Sequence, residues 1–376
     1  MMNRRIRNKV KILILAAVFC MTALALSGCV DQNDGKEKAD TTAEETEIST
    51  DDVETMLFID DPQEKAAVEA AKKKVSAEEN DVRIIATSPS VADICDRLNL
   101  DLAGVCTTAS DLPERYADLP TVGTAMSPDM EIVSSLDPDW ILSPSSLQSD
   151  LQPKYEAINT DWAFLNLRSV QGLYRSVQEL GEIFDRQEEA QVLVDEFTKF
   201  YQDYKEKNAG KTSPKVLVLM GLPGSYIIAT ENSYVGSLVE LAGGENVYAG
   251  SDQEFLTVNT EDMKTKEPDI ILCASHALPD QVMAMFEEDF KTNDIWKHFE
   301  AVQNDKVYYL SYERFGMSAT FRYPEALEEL QPILYPEGEA DEAKAKENSE
   351  NASQDAENSD ATAKYNETTD SQEGAG

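Results

Sequence analysis

Short apolar runs alternate with amphipathic segments through the middle of this chain. Arg83–Thr87, Leu100–Cys106, Ile141–Leu142, Lys215–Met220, Ile271–Leu272 and Val307–Leu310 have the length of buried strands. Between them lie segments of helical character: Val91–Leu98, Gln187–Lys207, Tyr234–Leu241, Gln281–Phe290 and Pro324–Leu330. In Gln187–Lys207, apolar Val192, Val194, Phe197, Phe200 and Tyr204 are separated by charges, which predicts one long amphipathic helix. Twenty such residues would span roughly 30 Å. Ser88-Pro89-Ser90 can start the helix that follows it. Ser127 before Pro128 is a start signal of the same kind, which places Met126 just ahead of a helix N-terminus. Strands and helices in alternation predict an α/β fold with mostly parallel sheets.

One unit of this pattern occurs twice. Glu131 to Leu142 and Glu261 to Leu272 share the spacing Glu, then Pro-Asp (Pro138-Asp139, Pro268-Asp269), then Ile-Leu. Each predicts a short helix, a turn and a buried strand, so the chain is expected to hold two similar Rossmann-like lobes. Such lobes bind ligands beyond the carboxyl ends of their strands. There the copies differ: the second strand leads to His276, one of two histidines in the chain, where the first has Ser146. That asymmetry points to a ligand site at His276.

Composition changes the picture at the ends. Arg4, Arg5, Arg7, Lys9 and Lys11 precede an apolar run, Ile12–Leu26, and then Ser27-Gly28-Cys29. This has the layout of a secretory signal, and the run is short for a membrane-spanning helix. Leu26-Ser27-Gly28-Cys29 resembles a bacterial lipobox, which implies cleavage before Cys29 and lipidation of its thiol. Two or more acyl chains would then anchor the protein stably to a membrane. Residues 1–28 are therefore expected to be a signal peptide, and 29–81 an acidic tether. An N-terminal lobe follows at 82–168, a helical connector at 169–213, and a C-terminal lobe at 214–336. Residues 337–376 are rich in Glu, Asp, Asn, Ser and Thr and are expected to form a disordered acidic tail. Gln63–Val75 has helical composition with a weak apolar face, which leaves its docking open. A formal net charge of −38 argues against a nucleic-acid partner. Cys95, Cys106 and Cys273 are read as buried thiols, with a Cys95–Cys106 disulfide as the other possibility.

The lipobox, tether, lobe, long helix and second lobe together resemble the substrate-binding lipoproteins of ABC transporters. The single helical connector resembles the class that takes haem, siderophores and cobalamin. Within that class the chain is most similar to the haem-binding lipoproteins of iron-regulated surface determinant systems. The resemblance spans roughly 82–336 and is carried by GTAMSPDMEIV (123–133), KVLVLMGLPGSYIIAT (215–230), SYVGSLVELAGGENV (233–247), PDIILCASHALPDQV (268–282) and NDIWKHFEAVQNDKVY (293–308). It implies a monomeric, extracytoplasmic, membrane-anchored receptor in which Met126 and His276, one per lobe, hold haem iron in a cleft. Haem is then cargo, received from donor surface proteins and passed to an ABC permease. Glu131 and Glu261 match the family's permease-docking glutamates. Met/His is a known axial pair, and ligation needs a neutral imidazole, so affinity should fall in acid. Ser88, Ser90, Tyr226, Phe315 and Met317 are candidates for the pocket wall.

Other readings of the same residues remain. Met126 can be a gap-filling methionine, and His276 a polar cleft residue for another ligand. Met130, His298 and Cys273 are weaker candidates for iron. Glu131 and Glu261 also suit helix N-termini electrostatically. A ferric siderophore or a cobalamin is the alternative cargo, and the stretch around Tyr312-Glu-Arg314 departs from the family pattern. No nucleophile elbow, zinc-protease motif or phosphate loop is present, so the chain is not expected to be an enzyme.

Overall fold

A computed structural model describes residues 62–78 and 81–336. The expected signal segment 1–28, Cys29, the stretch up to 61 and the tail 337–376 lie outside the described residues. The N-terminal lobe contains β1 (Ile84–Ala86), β2 (Leu102–Val105), β3 (Gly123–Thr124), β4 (Ser127–Pro128), β5 (Trp140–Pro144) and β6 (Asp161–Leu165). Its main sheet is fully parallel in the order β2-β1-β5-β6. The C-terminal lobe contains β7 (Lys215–Leu222), β8 (Ser225–Ala229), β9 (Glu245–Asn246), β10 (Phe255–Leu256), β11 (Ile270–Ser275) and β12 (Val307–Tyr309). There β9, β7, β11 and β12 pair in parallel, and β8 and β10 extend the sheet antiparallel. Short strands that are apolar on both sides follow from helices covering both faces.

The period-two alternation of the strands divides the core. Ile84, Ala86, Trp140, Leu142, Ala163 and Leu165 face one way and Ile85, Ile141, Trp162 and Phe164 the other. In the second lobe Val216, Val218, Met220, Ile270, Leu272 and Ala274 oppose Leu217, Leu219, Ile271 and Cys273. The first set from each lobe belongs to one continuous cluster, which runs through the connector and the last helix, Tyr323–Leu334.

The connector holds the expected long helix, Gln187–Asn208, and ahead of it a second helix, Val170–Phe184. Asp185, in the left-handed region at φ 58°, separates them. Tyr174 of the first stacks on Phe197 of the second at 4.6 Å, and Phe197 meets Tyr323 edge-on at 5.5 Å.

Two points left open by the sequence are resolved here. Helix Pro62–Val75, within the stretch expected to be tether, docks on the connector by burying Val68 and Ala71. Its apolar face is weak because charge does much of the docking, through Lys72–Glu182 at 2.6 Å, Lys74–Asp161 at 2.8 Å and Arg175–Glu64. Cys95, Cys106 and Cys273 are free and buried, as first read, so the alternative Cys95–Cys106 disulfide is absent.

Glu179 lies beneath the docked helix at 2% exposure. Burial, and the hydrogen bond and charge of Glu64, push its carboxyl from 4.5 up to about 9, while Arg175 opposes the shift. The folded state thus keeps a proton that the unfolded chain releases as pH rises through that window, so stability falls over the same range. Glu179→Gln, which mimics the protonated acid, should raise unfolding free energy by about 1–2 kcal/mol at pH 8 and much less at pH 5. Urea denaturation at the two pH values checks this; an equal effect at both would contradict it.

Candidate functional site

Met126 stands at the tip of a two-residue turn. The pairs Gly123↔Pro128 and Thr124↔Ser127 close a short hairpin, leaving Ala125 and Met126 between the strands. The helix expected at Ser127-Pro128 begins instead at Met130, because Asp129 is the better cap: its carboxylate accepts from the N–H groups of Glu131 and Ile132. Thr107 N–H donates to the Gly123 carbonyl at 2.7 Å, which sets the hairpin beyond the carboxyl end of β2. Gly123 has φ +93°, and a Cβ there would sit 2.8 Å from the Ser127 carbonyl oxygen, so only glycine closes this turn. The Met126 side chain is 69% exposed at the tip of this turn.

His276 follows β11 directly. Its N–H donates to the Gly221 carbonyl at 2.9 Å and extends the β11–β7 ladder by one step. Gly221 is needed for packing, since a Cβ would lie 2.2 Å from Val282 Cγ1 and 2.7 Å from Phe286 Cε2 of helix Pro279–Thr292. His276 is half-buried, and its Nδ1 is buried without a hydrogen-bond partner, as is Ser275 Oγ. Buried polar atoms without partners are rare enough to need a reason. Both Met126 and His276 thus lie beyond the carboxyl ends of parallel strands, one on each lobe, where such folds take ligands.

The duplicated unit is duplicated in detail. Helices Met130–Ser135 and Thr260–Thr265 are capped by Asp129 and Asn259. Asp137 and Glu267 turn the chain at φ 46° and 48°. Asp139 and Asp269 each accept from the first residue of the adjoining strand region, Arg83 N–H at 3.0 Å and Lys215 N–H at 2.8 Å. Val133 and Met263 are the buried contacts. Glu131 and Glu261 are both exposed at the helix starts, with no ion pair among the described residues.

A shallow crevice between the lobes is lined by Pro144, Ser145, Ser146, Leu167, Arg168, Met317 and Ser318. Of the expected wall residues, Met317 is there. Ser88 is buried as the cap of helix Pro89–Arg97, where its Oγ accepts from Val91 N–H, and Ser90 is half-buried in the first turn. Phe315 is wholly inside the shared core and offers no wall surface. Tyr226 belongs to an aromatic cluster with Phe286 and Trp296, and its hydroxyl donates to Asp289 at 2.8 Å. Tyr226 is half-buried, so part of it stays exposed. Met130 packs into the N-terminal lobe, and His298 is exposed at the end of a 3₁₀ turn. Burial holds the Cys273 thiol well above its ordinary value, hence protonated. Arg314 pairs with Glu329 and Glu325 on the last helix.

Sequence reasoning missed Arg168 and Leu278. Leu278, two residues after His276, is 58% exposed and adopts φ 48° ahead of Pro279. The left-handed region costs a branched residue about 1–2 kcal/mol. Leu278→Gly should therefore stabilise the protein by about 1 kcal/mol in denaturant titrations; destabilisation would mean the exposed side chain contributes packing that outweighs the strain.

Comparison with known proteins places this architecture. The chain is 38% identical over 268 residues to the high-affinity heme uptake system protein IsdE of Staphylococcus aureus (strain Newman), covering 71% of this chain and 92% of that protein. An ABC transporter substrate-binding protein from Listeria monocytogenes EGD-e superimposes with a TM-score of 0.66 at 44% identity, covering 68% of this chain and 99% of the other. S. aureus IsdE complexed with heme superimposes with a TM-score of 0.65 at 40% identity, over 68% and 100% of the respective chains. Residues 84–313 match the model of the periplasmic binding protein family, and this chain belongs to that family.

Proposed function

We propose that this protein is a lipid-anchored extracytoplasmic receptor that binds haem between its lobes through Met126 and His276 and delivers it to an ABC importer. The family carries out substrate binding for transport rather than catalysis. The observation that carries the haem reading is the pair of incomplete groups at the strand ends, namely the exposed Met126 thioether and the half-buried imidazole with its orphaned Nδ1. A neutral imidazole that ligates through one nitrogen carries its proton on the other. A thioether opposite it would complete six-coordinate iron and favour the ferrous state. With both axial positions filled by protein, no open site remains for oxygen, which fits carriage. The heme-bound relative supports the ligand class.

Under this reading Cys29 carries the lipid, and Glu131 and Glu261 meet basic residues of the permease. Their matched geometry supports a two-point docking, in which charge pairs at the rim set encounter rate and register.

Optical titration of the purified protein with haem should give one saturable, low-spin site. Met126→Ala and His276→Ala should each weaken it by at least about tenfold, since even outer-shell partners of a metal ligand act on that scale. No saturable haem binding would move the search to ferric siderophores and cobalamins; binding untouched by either substitution would discard the ligand pair. Glu131→Ala combined with Glu261→Ala should slow haem uptake by cells while leaving the titration unchanged, and a changed titration would place those residues elsewhere in the mechanism.

A further inference from the structure

Helix Pro62–Val75 lies alongside helix Val170–Phe184, and the pairs between them fix its direction. Glu64, in its first turn, pairs with Arg175. Further along, Lys72 pairs with Glu182 in the last turn of the partner helix, at 2.6 Å. Val68 and Ala71 are buried on the stripe between these pairs. The two helices therefore run parallel. Reversed docking would bring Glu64 to Glu182 and Lys72 to Arg175, like charge against like, so the order of charges selects the orientation.

That orientation has a consequence for where the chain leaves the body. Lys74 pairs with Asp161 at 2.8 Å, with the two side chains 20% and 15% exposed. Asp161 is the first residue of β6, so the last turn of the docked helix lies at the amino ends of the strands. Helix Val170–Phe184 starts just after Arg168, at the interlobe crevice, and runs from there toward those amino ends. Pro62 is thus displaced toward the cleft by about 21 Å, the rise of its 14 residues. Undocked, the chain would enter the lobe at the amino end of β1, on the side away from the cleft. Glu131 and Glu261 are on the cleft side as well. Each sits in the first turn of a short helix whose far end leads to the amino end of β5 or β11.

We propose that helix Pro62–Val75 is an orienting strap. Docked on the connector, it brings the preceding chain out on the cleft side, so that a lipid anchor holds the cleft and both glutamates toward the membrane. The inference rests on the reading of Cys29 as the lipidated residue. Even as a random coil, the stretch between Cys29 and Pro62 would span only roughly 30 Å. Moving its point of attachment by about 21 Å therefore changes which side of the body faces the bilayer.

The test uses the full, lipidated chain in vesicles that carry an energy-transfer acceptor on their headgroups. A donor dye is attached through Leu278→Cys, on the cleft side, or through Asn304→Cys, exposed ahead of β12 at the amino ends. Cys95, Cys106 and Cys273 are buried, so the introduced thiol takes the label. Transfer should be higher from position 278 than from position 304. Replacing residues 62–75 by a Gly-Ser segment of equal length should remove or invert that difference. Lys72→Glu with Lys74→Glu should reduce it, and adding Asp161→Lys with Glu182→Lys should restore it. A cooperative thermal transition shows that each variant is folded. Equal transfer from both positions in the protein with its native strap, or higher transfer from 304, overturns the proposal. A difference that survives the Gly-Ser replacement overturns it too. If that protein does not fold, the charge-reversed one decides, and an undiminished difference there overturns the proposal. A chain whose mass shows no lipid at Cys29 overturns the anchor reading, and this inference with it.

Discussion

Everything at the cleft depends on one continuous apolar core that crosses from lobe to lobe. Each main sheet turns one of its two faces toward the connector, and the ring cluster of Tyr174, Phe197, Phe200 and Tyr323 closes the space between. The Tyr174 and Tyr323 hydroxyls lie 3.1 Å apart inside this cluster, so its polar atoms are satisfied as well. Close-packed interiors transmit displacement rather than absorb it. Rotating one lobe against the other would break these ring contacts. These contacts oppose a wide hinge motion of one lobe against the other.

On that rigid base, small local devices aim the side chains. A glycine that alone tolerates φ +93° closes the hairpin under Met126, and a second glycine lets helix Pro279–Thr292 approach β7 closely enough to seat His276. The two copies of the helix-turn-strand unit use the same aspartate-to-backbone bond to fix their turns. Under the proposed function, symmetry serves the exposed glutamates and the break in symmetry, His276 against Ser146, serves the cleft.

The strand pattern, the repeat and the long helix were legible because burial imposes a period on the sequence, and the repeat shared one spacing. The hairpin under Met126 was not. Ser127-Pro128 carries a valid helix-start signal, but Asp129 caps the helix two residues later, and a two-residue hairpin has too little chain to show a period. The docking of Pro62–Val75 was hidden because ion pairs to Arg175, Glu182 and Asp161 supply much of it, and a partner far along the chain leaves no local trace. Phe315 and Tyr226 illustrate the same limit from the other side: an aromatic residue near a cleft and one in a core look alike in sequence. Arg168 was missed because a single arginine ahead of a helix carries no pattern. Its placement in the crevice comes from the topology.

The central claim is that iron sits between the Met126 sulfur and a His276 nitrogen. Near-infrared magnetic circular dichroism of the ferric haem complex addresses it most directly, because sulfur-to-iron charge transfer reports a thioether ligand whatever the affinity. The account predicts a methionine-type band in the wild-type complex that vanishes in Met126→Ala. A complex with water or two nitrogens as axial ligands, and no sulfur band, would contradict it.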